Sequence, residues 1–474
     1  MASQMEDQEY GDAIPIFYQP ELWCIYRVPN KLRNVNPASY TPQLLSIGPF
    51  HHGRLELKDM ENNKRMYCEN FCAGSMKTID ELKLFIKSRL QDIVGCYAWT
   101  VIQQETELVD VILVDACFII ELFLVNSEET TGNYYHLFRS PWLRKALEQD
   151  LILFENQLTY SLLQDLYDFG MPSSCFNPPN EVKPQKQPHT GHEQRYCLSC
   201  FQHCLHCVHR TGPHDNFVEI ANSEPVHPFL KLTCEFFKEY IKGKFVRNGV
   251  APKHFTDLVR HFLCPEEEMT WVDNRRISVK NIYDARTLKE AGLNFRPLKE
   301  AGLVIKGDES HKFCNFNVAC FTSMDMKVSQ IRVNDQTECV IRNVMALERL
   351  LYPKSASICK YFLLMDKLVD NVEDVNLMIK SGVIDNKLAG CSELVVNLIN
   401  SLCLEIMDDS CCYGGVCNQL NRHYGISFWK RNVAILKRVY FQDLWTASST
   451  IVGLFVLVFS IIGTIKSIGY RYQT

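Results

Sequence analysis

Leu444 to Ile465 reads LWTASSTIVGLFVLVFSIIGTI, twenty-two residues without one charged side chain, and no other stretch restricts this chain so tightly. As a helix rising 1.5 Å per residue, its uninterrupted apolar part from Ala447 to Ile465 spans about 28 Å, close to the hydrocarbon thickness of a bilayer. A buried core helix is the competing reading, but such helices are usually shorter and carry a polar residue every turn or two. The stretch is therefore predicted to cross a membrane once, with membrane lipid as its partner.

The start of the chain, residues 1–24, holds Glu6, Asp7, Glu9 and Asp12 and has no apolar run after a basic start, so it reads as an acidic leader and not as a secretory signal. Insertion is then expected to rely on 444–465, which the short tail 466–474 follows, in a tail-anchored arrangement with the bulk of the chain in the cytosol. Charge agrees: Lys430, Arg431, Lys437 and Arg438 precede the span, against Lys466 and Arg471 after it, and the richer side tends to stay inside. In 428–442, Trp429, Val433, Leu436 and Tyr440 form one apolar edge with those cations off it. Such a helix either lies along anionic lipid headgroups or packs on the body with a solvated basic face. The twenty-one cysteines are scattered, several inside apolar helical patterns (Cys117, Cys264, Cys339, Cys403), and no Asn-x-Ser/Thr acceptor occurs. Reduced thiols are expected.

Between leader and span, 46% hydrophobic and 22% charged residues describe a folded body with a sizeable core. A formal net charge of -5, with no basic stripe before residue 420, argues against nucleic acid as a partner. Prolines 29, 37, 42 and 49 with Gly48 and Gly53 prohibit a long helix near the start, so this segment is predicted to wrap a helical body. Gly48 and Gly53 have the gap of a phosphate loop, but Arg54 and Leu55 stand where Lys and Ser/Thr are needed. His51 and His52 lack a partner ligand at helical spacing and read as turn residues.

Helical periodicity begins at Leu57. VDVILVDACFIIELFLV, 109–125, is almost wholly apolar, broken by Asp110, Asp115 and Glu121; the internal acids suit a central buried helix better than a second span. Leu147, Leu151, Phe154, Leu158 and Leu162 fall at steps of four, three, four and four, predicting one helix through Leu166. Glu121, Asp150 and Glu155, carboxylates among apolar neighbours, are the candidates for acid or base chemistry, against the commoner role of buried acids in caps and polar networks.

Residues 170–195 are proline-rich, and the same interruption, to about 215, carries Cys197, Cys200, Cys204 and Cys207 with histidines between them. Two Cys-x-x-Cys units are a zinc signal, although the three-residue gap between them is far shorter than in a zinc ribbon. On a helix the four sulfurs line one face, so a metal site and a cysteine-rich amphipathic turn both remain open. LKEAGL occurs twice, at 288–293 and 298–303, too few copies for a solenoid. Alternation between Leu303 and Val333 suggests a small β-hairpin, and helices are expected again at 337–351, 361–369 and 393–407.

Several of these stretches together resemble the plant family DUF247, also called UPF0481. They are Ile25-Tyr-Arg-Val-Pro29, Ser46-Ile-Gly-Pro-Phe-His-His-Gly53 with Met60-Glu61 and Lys64, and Asp115-Ala-Cys-Phe-Ile-Ile-Glu-Leu-Phe123. Asp150-Leu-Ile-Leu-Phe-Glu-Asn-Gln157, Leu288 to Leu293, Asp335-Gln-Thr-Glu338, Arg342-Asn343, Leu347-Glu348, Met365-Asp366 and Tyr440-Phe441 with Trp445 follow in order. The chain departs from the family at Ala116, Thr159 and Leu444, where Gly, Pro and Pro are usual, and in its cysteine-rich insertion. The resemblance implies a mainly α protein: a helical domain over 25–440 and one C-terminal transmembrane helix. It brings no established activity and no catalytic residues. The expected function is a membrane-anchored, non-enzymatic interaction or recognition protein without cofactor; the competing class is an enzyme with an unrecognised site, or a zinc module on Cys197, Cys200, Cys204 and Cys207.

Overall fold

The computed structural model describes residues 20–98, 104–127, 140–171, 226–240, 251–264, 282–298, 302–306, 324–406, 413–427 and 444–471, with Leu137 and Asn432. Its longer helices are α1 Lys58–Gly74, α2 Ile79–Ser88, α3 Glu105–Ser127, α4 Pro141–Ile152, α5 Tyr160–Gly170, α6 Pro228–Phe236 and α7 Phe255–Leu263. They continue with α8 Ala285–Glu290, α9 Thr337–Leu351, α10 Ser357–Leu368, α11 Val372–Lys380, α12 Ser392–Leu402, α13 Gly414–Ile426 and α14 Leu444–Arg471.

The fold is built round α3, whose apolar residues occupy every side of the helix and so cannot be served by a single packing partner. Helices α1, α2, α5 and α6 pack against it, and from Leu108 to Val125 nearly every residue is buried. Phe123 sits in an aromatic cluster, with ring centroids 4.7 Å from Phe236, 5.5 Å from Phe255, 6.0 Å from Phe229 and 6.1 Å from Phe237. A second helical layer follows, in which α9 touches α7, α10 and α12, and α11 packs on α12 and α8. Local signals fix several helix starts: Thr78 and Glu81 close a capping box on α2, Asn371 and Asp374 another on α11, and Ser140 caps α4 ahead of Pro141.

Two expectations change in detail. The even leucine spacing from 147 to 162 does not continue as one helix; α4 stops at Ile152 and α5 starts at Tyr160. The residues between them are buried and spend their polar side chains on neighbouring backbone, which outweighs the helical bonds they forgo. The expected hairpin element is present as strand β2 Ile305–Lys306 antiparallel to β3 Met324–Ser329, within a wider sheet of order β1-β3-β2 in which β1 Leu293–Leu298 runs parallel to β3. A separate parallel pair joins β4 Ile331–Val333 to β5 Ile384–Asn386. Alternation reports which face is buried, and carries no information on a strand's partner or direction. The repeated LKEAGL has a structural counterpart, because Gly292 and Gly302 both take positive φ just before the chain enters β1 and β2.

None of the window Ser448–Lys466 in α14 is buried, and this helix is long and apolar enough to cross a membrane. The helix is 28 residues long, about 42 Å at 1.5 Å per residue. Phe123→Ala is expected to cost ~3–5 kcal/mol of unfolding free energy, since the neighbouring rings are fixed on two other helices, α6 and α7, and cannot all close on the cavity; a denaturant midpoint on the detergent-solubilised chain measures it.

Candidate functional site

Prolines limit regular structure in the segment from residue 25 to 53 to one short helix, Asn30–Val35, and a 3-10 turn, Pro37–Tyr40, yet much of it is buried, so many of its backbone polar groups need partners from elsewhere. Side chains supply them. Asp150 Oδ1 accepts from Gln43 N at 3.0 Å, and its Oδ2 from Leu44 N and Leu45 N, each at 2.7 Å. Asn156 accepts from Ile47 N at 2.7 Å and donates to the carbonyls of Leu45 and Asp150, each at 2.9 Å. Glu155 accepts from Val28 N at 2.5 Å and pairs with Arg33 Nη2 at 2.5 Å, with His51 Nε2 3.3 Å from its other oxygen. Gln157 donates to the carbonyls of Leu151 and Leu153 at 2.6 and 2.7 Å and accepts from Phe255 N at 3.0 Å, tying the turn between α4 and α5 to α7.

From the core side, Asp115 of α3 accepts from Gly48 N at 2.8 Å and pairs at 2.6 Å with Lys64 of α1, which also donates to Ser46 O at 2.9 Å. Gly48 has φ +68°, and a Cβ there would meet Gln157 O and Tyr97 Oη at 2.8 Å, so a glycine is required at this close approach. Further along, Asn343 accepts from Phe154 N at 2.9 Å and donates to Ser39 O at 2.7 Å. Glu348 receives Ile358 N and Cys359 N at the start of α10, at 3.0 and 2.9 Å, and pairs with Arg260 at 3.1 Å.

The three candidate carboxylates therefore separate. Asp150 and Glu155 converge on the same N-terminal wrap, while Glu121 lies half-buried on α3 and belongs to neither set of contacts. Burial pushes Glu121 up to about 7 and Asp150 up to about 6, the latter opposed by its three backbone donors. Desolvation also raises Glu155, but the hydrogen bond with His51, the Arg33 charge and Val28 N–H outweigh it and hold that carboxyl below its usual range. Asp115 is raised by desolvation in spite of Lys64. Desolvation works against the Lys64 ammonium, and Asp115 with Glu61 more than compensates, lifting it above its usual value.

An open cleft of about 460 Å³ lies elsewhere, lined by Lys289, Asn294, Phe295, Arg296, Leu377, Lys380 and Ser381; none of the three carboxylates reaches it. The cysteines Cys197, Cys200, Cys204 and Cys207 and nearly all of the basic segment 428–442 lie outside the described residues. Among the described residues no group of three or more His, Cys, Asp or Glu is arranged to hold a metal ion.

Sequence reasoning picked out Asp150 and Glu155 for chemistry and passed over Asn156, Gln157, Asn343 and Glu348, which share their structural task. A signal was present: two amides follow an acid inside an apolar run, where nothing local satisfies them. Several of the stretches on which the family resemblance rests, at 25–29, 46–53, 115–123, 150–157, 342–343 and 347–348, contribute to this network.

Asn156→Ala is expected to cost on the order of 2–4 kcal/mol, since Ile47 N–H and two carbonyls lose a partner in a dry site; unfolding of the intact chain in detergent reads this. Glu121 carries the opposite signature. With its folded value above its unfolded one, the folded state holds an extra proton between about pH 4.5 and 7, so its penalty is absent below that window, grows as pH rises through it and is complete above. Glu121→Gln should raise stability by on the order of 1–3 kcal/mol at pH 8 and leave it nearly unchanged at pH 4.5, read from melting temperatures at the two pH values.

The chain is 22% identical to the UPF0481 protein At3g47200 of Arabidopsis thaliana, over 95% of this chain and 87% of that protein. It is 21% identical to the putative UPF0481 protein At3g02645 of the same plant, over 92% of this chain and 88% of that one. No solved structure matches. The family model DUF247, described as a plant protein of unknown function, matches residues 25–459, from the start of the wrap into the apolar helix, and the chain belongs to that family.

Proposed function

We propose that this chain is a membrane-anchored, non-enzymatic interaction protein, held at a membrane by residues 444–465 and using its helical body to engage a protein partner in signalling or recognition. The single observation that carries this reading is α14, in which apolar side chains from Ile451 to Ile465 are exposed with none of the described residues covering them. At about 25 cal/mol per Å² of apolar surface, leaving such a helix in water is costly, and lipid removes that cost. The use of Asp150, Glu155, Asp115 and Glu348 as backbone acceptors supports the non-enzymatic half, because each is already engaged inside the protein.

Cell fractionation tests the anchor. The intact chain is expected in the membrane pellet and to stay there through alkaline carbonate, whereas a chain lacking 444–465 moves to the supernatant. Recovery of the intact chain in the high-speed supernatant without detergent sinks the proposal. Protease added to sealed vesicles with their cytosolic face outward should digest the body, and protection of the body there would reverse the proposed orientation.

A further inference from the structure

The 460 Å³ cleft lies between the edge strand β1 and the C-terminal end of α11. Its charged lining consists of Lys289, Arg296 and Lys380, beside the polar side chains of Asn294 and Ser381, and no carboxylate is among its lining residues. The cationic character continues across the outer face of the sheet. Arg296 on β1 stands opposite Lys327 on β3, and Lys327 stands opposite Lys306 on β2, all three exposed. Like charges set directly across neighbouring strands repel one another, and Lys327 stands between two of them.

The protein offsets this only in part. Asp325 pairs with Arg296 at 2.5 Å, and Lys289 donates to Asn294 at 2.7 Å, which orients that ammonium without neutralising it. Lys327 and Lys380 pair with no carboxylate among the described residues. Cations from the sheet edge and from the ends of α8 and α11 line one open space and match a compact anion with several separated negative groups. The volume lies within the range of small-molecule sites, roughly 300–1,000 Å³.

We propose that this cleft and the adjoining cationic row bind the multiply phosphorylated head group of an acidic membrane lipid. Lysines and an arginine supply charge and hydrogen bonds to the phosphates, and Phe295 and Leu377 form the apolar part of the lining, while the Asn294 amide is held between Lys289 and Asp325 and the Ser381 hydroxyl donates to Met378 O. The choice of a lipid as the source rests on the membrane-anchored reading, since tethering the body at a bilayer multiplies the effective concentration of every head group within reach. The anion chemistry stands without it.

The intact chain is placed in nanodiscs of phosphatidylcholine alone or with added phosphatidylinositol bisphosphate, and lysine acetylation by a water-soluble amine reagent is followed by mass spectrometry. Labelling of Lys289, Lys327 and Lys380 is expected to slow severalfold in the phosphoinositide discs, and to slow likewise in phosphatidylcholine discs when soluble inositol trisphosphate is added. Arg296→Gln combined with Lys380→Gln, both at the open cleft, should leave the melting temperature unchanged and weaken inositol trisphosphate binding at least about tenfold. Equal labelling in both kinds of disc overturns the proposal, as does protection by polyglutamate without protection by phosphoinositide, which would make the face a protein-docking surface. Protection by soluble inositol trisphosphate without any lipid effect overturns the lipid source. Failure of the chain to enter discs counts against the anchor alone, and the soluble arm, run in detergent, then decides the anion chemistry by itself.

Discussion

The body depends on polar side chains turned inward between Asp150 and Gln157, where a helix would otherwise continue. A wrap rich in proline forfeits the ladders by which backbone groups normally satisfy one another, and burying it dry leaves each orphaned N–H or carbonyl costing about 1–3 kcal/mol. Asp150, Glu155, Asn156 and Gln157 between them serve the backbone at Val28, Gln43, Leu44, Leu45, Ile47 and Phe255. The break between α4 and α5 is thus what allows the N-terminal segment to be buried at all.

Asp115 and Lys64 extend the same logic into the core. A buried ion pair seldom gives more stability than apolar residues of equal volume would, because both charges give up water. Its value here lies in geometry: Lys64 reaches Ser46 O and Asp115 reaches Gly48 N, so the pair sets where residues 46–48 lie on α1 and α3. Sliding the wrap by one residue would leave both charges facing the wrong backbone groups. Glu121 sits on the same helix without such a task, and the two acids illustrate how an apolar environment either organises a carboxylate or pushes it toward its neutral form.

Much of the fold was legible because burial leaves a periodic trace. The central helix follows from the density of VDVILVDACFII, the bounds of α9 from clean spacing, and the exposed C-terminal helix from a composition that no water-facing element needs. The break at Leu153–Thr159 was not legible, since apolar residues keep helical spacing straight through it and only the long-range bonds of Asn156 and Gln157 reveal the turn. The parallel pairing of β1 with β3 was hidden for a related reason: strand direction depends on where the chain travels between strands. The cationic cleft is assembled from positions 289 to 296 and 377 to 381, far apart in sequence and each carrying an ordinary number of charges, so a scan for basic runs passes over it.

Interior and surface therefore divide the work by chemistry. Within the described body, the buried acids at 115, 150, 155 and 348 are each committed to a backbone group or a cation, and a group so committed cannot take up a proton or bind a substrate without releasing part of the wrap. On the outside lie an apolar helix that no described residue covers, and Lys327 on a sheet face between Arg296 and Lys306, with no carboxylate paired to it among the described residues. Both are features that cost free energy in water and cease to do so next to a bilayer of the right composition, one through its hydrocarbon and the other through its phosphates. A protein that carries these two features on a body whose buried acids are engaged by its own backbone and cations fits the proposed reading, in which it meets a surface and does not perform a reaction.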